Sequence, residues 1–438
     1  MILRLPRLLV LFGLLATGVT LQSSNPAQPT PEGLDPARLA RIDRVLEEHV
    51  TSNRLAGAVG LALRDGKVVY EKAVGWADKE AGTRMAPDSL FRIASQTKAV
   101  TSTAILILME EGRLSITDPV SRYLPSFAKS MVSAAGPDGE TLVPATRAIT
   151  IRDLLTHTSG LSYGTDARLS ARYAAAGLGP AAGSGWYTAD KTEPVCDTMD
   201  RLGTLPLAAQ PGTRWVYGYS TDVLGCVVER ASGQPLDVFI RERITDPLKM
   251  VDTHFFLPES KRARLTTVYG SGPGGMVVRA PEGPRGQGHY VDGPRRNFAG
   301  GAGLVSTARD YARFLEMVRR GGELDGARIL SPRTVMLMTT NQVGTLHSST
   351  GMGWSLAFQT TDLFGANGLS AAGSYGWGGA YGSVYRVDPT ERLTMVLMIQ
   401  LMPNTTDIRS MFPNLVHQSV VTAAGSARNT DPQPLVRR

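Results

Sequence analysis

Strand-forming sequence stands near both ends of this 438-residue chain, and helix-forming sequence fills most of the distance between. Near the start, residues 58–64 and 67–74 are β-rich runs that flank Asp65-Gly66, a pair whose tolerance of positive φ suits the two-residue turn of an antiparallel hairpin. Near the end, residues 383–387 and 393–400 enclose Asp388-Pro389-Thr390-Glu391 as a second turn. Residues 96–111, 221–231 and 307–319 read as helices stopped by Gly112, Gly233 and Gly321. Strands at both termini with helices between them predict an α+β fold: an antiparallel sheet flanked by helices, interrupted by a mainly helical lobe, with a cleft where the lobes meet.

The expected boundaries follow from this plan. Leu39, Ile42, Leu46 and Val50 share one helical face, so the folded body starts near residue 36, after a Ser-, Pro- and Gln-rich linker over 22–35. Residues 36–90 and 296–425 form a discontinuous α/β lobe, 91–295 the helical lobe, and 426–438 a flexible tail, with a final helix over 407–424. The Gly- and Pro-dense stretch 270–294 reads as a long loop beside the cleft. Residues 1–21 place Arg4 and Arg7 before an apolar run over 8–15 and the small residues Ala16, Thr17 and Gly18, as a secretory signal does. That run is shorter than the ~20 residues that span a bilayer. The expectation is a cleaved signal, a periplasmic or secreted protein, and no stable membrane anchor.

Composition removes several classes. With 42% hydrophobic and 19% charged residues the chain can bury a large core. Its net charge of +7 is scattered rather than gathered on one run, which argues against a nucleic-acid partner. Cys196 and Cys226 fit a disulfide or two buried thiols equally well. The cysteines and six histidines have no metal-ligand spacing, so no metal and no cofactor are expected. Met395, Met398 and Met402 read as core filling.

The chemistry concentrates at Ser95-Gln96-Thr97-Lys98, at the head of an apolar helix. Residues three apart share a helical face, so the Lys98 amine reaches the Ser95 hydroxyl. A serine hydroxyl is a poor nucleophile until a neighbour takes its proton. A lysine at its ordinary pKa is almost wholly charged at neutral pH, so either Lys98 is depressed by desolvation or it stays cationic and assists a tyrosine base. A second Ser-x-x-Lys, Ser126-Phe127-Ala128-Lys129, lacks an apolar helix to hold its geometry. Two further segments matter: Pro211-Gly212-Thr213-Arg214-Trp215-Val216-Tyr217-Gly218-Tyr219, leading into a helix, and Gly376-Trp377-Gly378-Gly379-Ala380, before a strand, where glycine lets backbone approach a ligand closely.

Together these motifs, with Leu154-Leu155-Thr156-His157-Thr158-Ser159-Gly160-Leu161, resemble the serine β-lactamase-related superfamily (class C β-lactamases and penicillin-binding proteins), and within it the family VIII carboxylesterases, over about residues 36–424. The resemblance implies a β-lactamase/transpeptidase-like fold, Ser95 as the acylated nucleophile, Lys98 as its partner, and Tyr217 as general base and acid. It puts the backbone amides of Ser95 and Ala380 in an oxyanion hole and Tyr219, Trp377, Gly378 and Gly379 around the substrate. Trp377-Gly378-Gly379 stands where relatives carry Lys-Thr-Gly, and Tyr219 where β-lactamases carry Asn. Loss of the basic residue removes a carboxylate anchor, so the expected substrate is a small neutral ester. The alternatives are a β-lactamase or D-alanyl peptidase, and a non-catalytic cell-wall peptide binder; the assembly expected is a monomer or small homo-oligomer.

Two residues imitate catalytic ones. Gly160-Leu161-Ser162-Tyr163-Gly164 matches the nucleophile elbow Gly-x-Ser-x-Gly, which needs a strand before the serine, but a helix-like segment precedes it. His157 lies on the wrong side of Ser162 for the triad order and reads as a structural histidine.

Overall fold

In the computed structural model, which describes residues 29, 30, 32–136, 139–182 and 189–422, strands from the two ends of the chain form one sheet. The expected signal, most of the linker and the tail lie outside the described residues. From the N-terminal part come β1 (Gly57–Arg64), β2 (Lys67–Asp78) and β3 (Thr83–Arg84). From the C-terminal part come β4 (Met352–Trp354), β5 (Gln359–Thr361), β6 (Tyr375–Gly378), β7 (Val384–Asp388) and β8 (Leu393–Met398). The order is β4-β5-β6-β7-β8-β1-β2-β3, antiparallel throughout, and β1 pairs with β8 from Val59 opposite Met398 to Arg64 opposite Leu393. Asp65 and Gly66 both take positive φ, 53° and 77°, as the hairpin between β1 and β2 requires.

The central strands are buried on both faces, which explains why they read as continuous apolar runs. Val59, Leu61 and Leu63 of β1, with Val396 and Met398 of β8, face one core. Ala58 and Ala62, with Leu393, Met395 and Leu397, face the other. That second core is closed by α1 (Pro36–Thr51), whose N-cap Asp35 accepts from Ala37 N and Arg38 N, and by a C-terminal helix, Ile408–His417. The C-terminal helix is shorter than the expected 407–424. Met402, expected in the core, is instead 43% exposed, because it lies past the end of β8.

The first core continues into the helices of the inserted segment: α2 (Thr97–Glu110), α3 (Val195–Leu202) and α4 (Ser220–Ser232). It also takes in α5 (Ala308–Arg319), capped by Thr307. Gly233 stops α4 in the left-handed conformation, φ 73°. Cys196 on α3 and Cys226 on α4 form a disulfide. The stretch 270–294 is less open than expected, since Tyr269–Ser271 and Val277–Arg279 pair as a short hairpin. The segment is also pinned to the body: the buried Arg92 guanidinium donates to Thr266 O (2.6 Å) and Gln287 O (2.7 Å). Among the described residues no helix is long and apolar enough to cross a membrane.

Candidate active site

The approach to Ser95 is a two-residue strand, Phe91–Arg92, paired with Val305–Ser306, and then a sharp turn. Ala94 takes φ 44°, a left-handed conformation that a residue with a Cβ adopts only when its surroundings enforce it. Ser95 follows on a single 3-10 turn, Ala94–Gln96, that runs into α2. Every residue of α2 from Thr97 to Leu108 is buried, so Lys98 is carried into the interior, 3% exposed, while Ser95 remains half-buried.

The Lys98 ammonium has three N–H donors and three acceptors. It donates to Gly301 O (2.7 Å), Tyr163 OH (3.0 Å) and Ser95 Oγ (3.3 Å). Burial alone would depress its pKa, but the oxygens of Tyr163 and Tyr217, the Asp222 carboxylate and the Tyr163 hydrogen bond outweigh it. The balance lies above the ordinary lysine value, so Lys98 is a cation at neutral pH. Of the two proton arrangements open from sequence, the geometry supports the charged lysine.

Tyr217 comes in from the segment before α4. Lys98 Nζ lies 4.8 Å from its ring centroid, and Trp377 Nε1 donates to its phenol oxygen at 3.1 Å. Gly218 makes this approach feasible, since a Cβ there would meet Ser162 Cα at 2.6 Å. Behind Tyr217 stand Trp215, stacked at 5.6 Å, and His157 at 4.9 Å. His157 is 1% exposed; burial first, then the Lys98 charge, hold it well below the usual histidine value, so it is a neutral packing residue.

Strand β6 brings Trp377-Gly378-Gly379 to the turn that carries Ser95. A Cβ on Gly379 would lie 2.6 Å from Ile93 O, so only glycine lets β6 end against the backbone that precedes Ser95. The next residue, Ala380, is exposed, and among the described residues its N–H has no hydrogen-bond acceptor. The space a Gly378 side chain would occupy is taken by the Arg409 guanidinium. Arg409 itself has no carboxylate or hydrogen-bond partner among the described residues, and burial lowers its pKa.

The structure thus gathers Ser95, Lys98, Tyr217, Trp377, Gly378, Gly379 and Ala380 in one place. It does not bring Tyr219 to the substrate. Tyr219 is fully buried, its hydroxyl accepts from Gly179 N (3.0 Å), and its ring backs Tyr163 at 4.8 Å, so the expected substrate contact is corrected to support of Tyr163. Tyr163 and Gly301 were missed, because each reaches Lys98 from a segment with no chemical signature. Ser162 is buried, with Oγ accepting from Gly164 N (3.0 Å), and the helix Ile151–Leu155 rather than a strand precedes it. Ser126 pairs with Asp200 (3.2 Å) near the surface, and Lys129 is exposed. Among the described residues one cluster has metal-ligand spacing, Cys196, Cys226 and Glu229, and its two sulfurs are joined to each other.

Comparison with known proteins bears on the family and the fold. A family model described as Beta-lactamase matches residues 42–418. Protein Rv1367c of Mycobacterium tuberculosis is 37% identical over 381 residues, covering 82% of this chain and 89% of that protein. Esterase EstB of Burkholderia gladioli is 33% identical over 387 residues, covering 84% and 92%. Among solved structures, EstCE1, a hydrolase with promiscuous acyltransferase activity, superposes with a TM-score of 0.72 at 26% identity, covering 88% of this chain and 99% of that one.

Proposed function

Because the chain belongs to the Beta-lactamase family and is a carboxylesterase-like serine hydrolase, we propose that it cleaves small, uncharged carboxylic esters through an acyl-enzyme on Ser95. The observation that carries this reading is the Lys98 ammonium, held at once by Ser95 Oγ, Tyr163 OH and Gly301 O beside the Tyr217 ring.

With Tyr217 reacting as its phenolate beside the Lys98 cation, Ser95 Oγ attacks the ester carbonyl carbon as its proton passes to the Tyr217 oxygen, and the carbonyl π electrons move onto oxygen. The N–H groups of Ser95 and Ala380 receive that oxyanion, a contribution of roughly 10²–10³ in rate per donor in comparable sites. Collapse of the tetrahedral adduct breaks the carbon–alkoxide bond, and Tyr217 returns the proton to the departing alcohol. Water then repeats the sequence on the acyl-enzyme and frees the acid. Lys98 keeps its proton and offsets negative charge arising on the oxygens around it, while the Trp377 N–H steadies the phenol oxygen.

The half-buried Trp215 and Trp377 rings, 6.4 Å apart and backed by the buried Trp354, offer an uncharged wall, which favours neutral esters. One observation favours a second reading. Arg409, over Gly378 and without an ion-pair partner among the described residues, is a cation where a β-lactam or peptide carboxylate would need one. Export to an oxidising compartment is part of the proposal, supported by the apolar run over 8–15 behind Arg4 and Arg7 and by the Cys196–Cys226 bond.

The test is intact-mass detection of an acyl adduct after mixing with a short-chain aryl ester or a cephalosporin, with Ser95→Ala alongside. Turnover of the ester and an adduct confined to Ser95 support the first reading. Cephalosporin turnover that matches ester turnover and collapses in Arg409→Ala favours the second.

A further inference from the structure

A buried carboxylate is separated from Lys98 by a single glycine residue. Asp222, in the first turn of α4, is 1% exposed, and its Oδ1 accepts from Gly301 N at 3.0 Å. The carbonyl of the same residue, Gly301 O, accepts from Lys98 Nζ at 2.7 Å. A carboxylate and an ammonium thus sit at the two ends of one glycine residue, each hydrogen-bonded to it.

The segment that carries Gly301 is wedged between two helices. Gly300 O accepts from Thr101 Oγ1 of α2 at 2.8 Å, and a Cβ on Gly300 would meet Thr221 O of α4 at 2.7 Å. Close packing and the Thr101 hydrogen bond thus fix Gly300 against both helices, and Asp222 holds the next residue. Burying a carboxylate costs free energy unless something nearby profits from it.

We infer that Asp222 is a positioning residue: through Gly301 it holds the Lys98 ammonium in its three-acceptor cradle and so commits proton transfer from Ser95 to a tyrosine. This rests on the acyl-enzyme reading above. Asp222 never meets the substrate; its charge and its hydrogen bond act on Lys98. The titratable groups facing this pair are Tyr163, Tyr217 and Tyr219, with His157 behind Tyr217. Burial first raises the Tyr163 and Tyr219 phenols and keeps His157 neutral, and the Asp222 carboxylate joins the Tyr163 and Tyr217 oxygens in opposing the Lys98 charge.

The isosteric Asp222→Asn variant separates charge from shape, since its amide oxygen still accepts from Gly301 N. The pH profile of kcat/KM for a neutral aryl ester is recorded for wild type, Asp222→Asn and Asp222→Ala, with thermal melting as a check on folding. In wild type the alkaline limb lies at or beyond the upper end of a pH 6–10.5 range. Asp222→Asn brings it down by about one to two pH units, because Lys98 releases its proton more readily. Asp222→Ala adds a fall in kcat of about tenfold or more with little change in KM.

An intact Ser95 adduct with an unshifted profile in Asp222→Asn overturns the assignment alone. Ester hydrolysis that survives Ser95→Ala overturns the acyl-enzyme reading and this assignment with it. Should neither variant fold, wild type decides by carbamoylation with cyanate, read by peptide mass: resistance of Lys98 through pH 10.5 upholds the assignment, and ready modification at pH 8.5 overturns it.

Discussion

Trp377 Nε1 donates a 3.1 Å hydrogen bond to the phenol oxygen of Tyr217, linking the last strand of the cleft to the segment that opens α4. An indole can donate but not accept, so this bond occupies one lone pair of the Tyr217 oxygen and leaves the rest of that oxygen for the proposed proton exchange with Ser95. Trp377→Phe keeps the ring and loses the donor. The expected result is a fall in kcat/KM of about tenfold, or ~1–1.5 kcal/mol, chiefly in kcat, by steady-state assay with a neutral ester.

Removal of the three proposed catalytic groups should have a larger effect. Ser95→Ala, Lys98→Ala and Tyr217→Phe should each lower kcat by roughly 10²–10⁴ or more without matching losses in melting temperature. Ser162→Ala should leave kcat within a small factor of wild type. Equal losses at Ser162 and Ser95 would remove the distinction between them.

Gly379→Ala drives a methyl group to 2.6 Å from Ile93 O, at the backbone that sets the Ser95 turn. We expect kcat to fall about 100-fold or more, with a drop in stability measurable by chemical denaturation, because β6 has to move away from Ala94 and Ser95. A Gly379→Ala enzyme with wild-type kcat would show that this contact is dispensable.

Stability should depend on pH through Asp310, whose carboxyl is raised to about 6, chiefly by burial, although Asp252 N (2.7 Å) and Thr253 Oγ1 (3.0 Å) donate to it. With its folded pKa above its unfolded one, the folded protein binds the extra proton between about pH 4 and 6. Stability contributed by this group is full below about pH 4 and lost as pH rises through 6, a change of about 2–3 kcal/mol. Comparing denaturation midpoints of wild type and Asp310→Asn at pH 4.5 and 7.5 isolates it: the difference between the two pH values should shrink in the variant.

The Cys196–Cys226 bond closes a loop with a sequence separation of 30, which corresponds to about 3–4 kcal/mol of unfolded-state entropy. Reduction, or the double Cys→Ser variant, should lower the unfolding free energy by an amount of that order.

What could be read from sequence was whatever depends on near neighbours. Asp65-Gly66 announced its turn because both residues tolerate positive φ, and Ser95 and Lys98 announced each other because one helical turn brings them together. Tyr163, Gly301 and Asp222 gave no such sign. Their meaning arises from three segments converging on one ammonium, and an isolated Tyr, Gly or Asp looks like any other. Ala94 concealed a left-handed backbone because alanine is not the residue such a conformation prefers. Tyr219 was misplaced for a simpler reason: two residues beyond Tyr217, the start of α4 turns its ring away from the cleft and into the core.

The pairing of β1 with β8 joins residues more than 300 positions apart, and the last third of the chain also supplies Trp377, Gly379 and Ala380. A nascent polypeptide that has emerged only as far as Lys98 and Tyr217 carries the proposed nucleophile without the backbone that shapes its turn. Hydrolytic competence therefore arrives late in synthesis, and premature termination before about residue 380 should yield inert fragments rather than a partly active esterase.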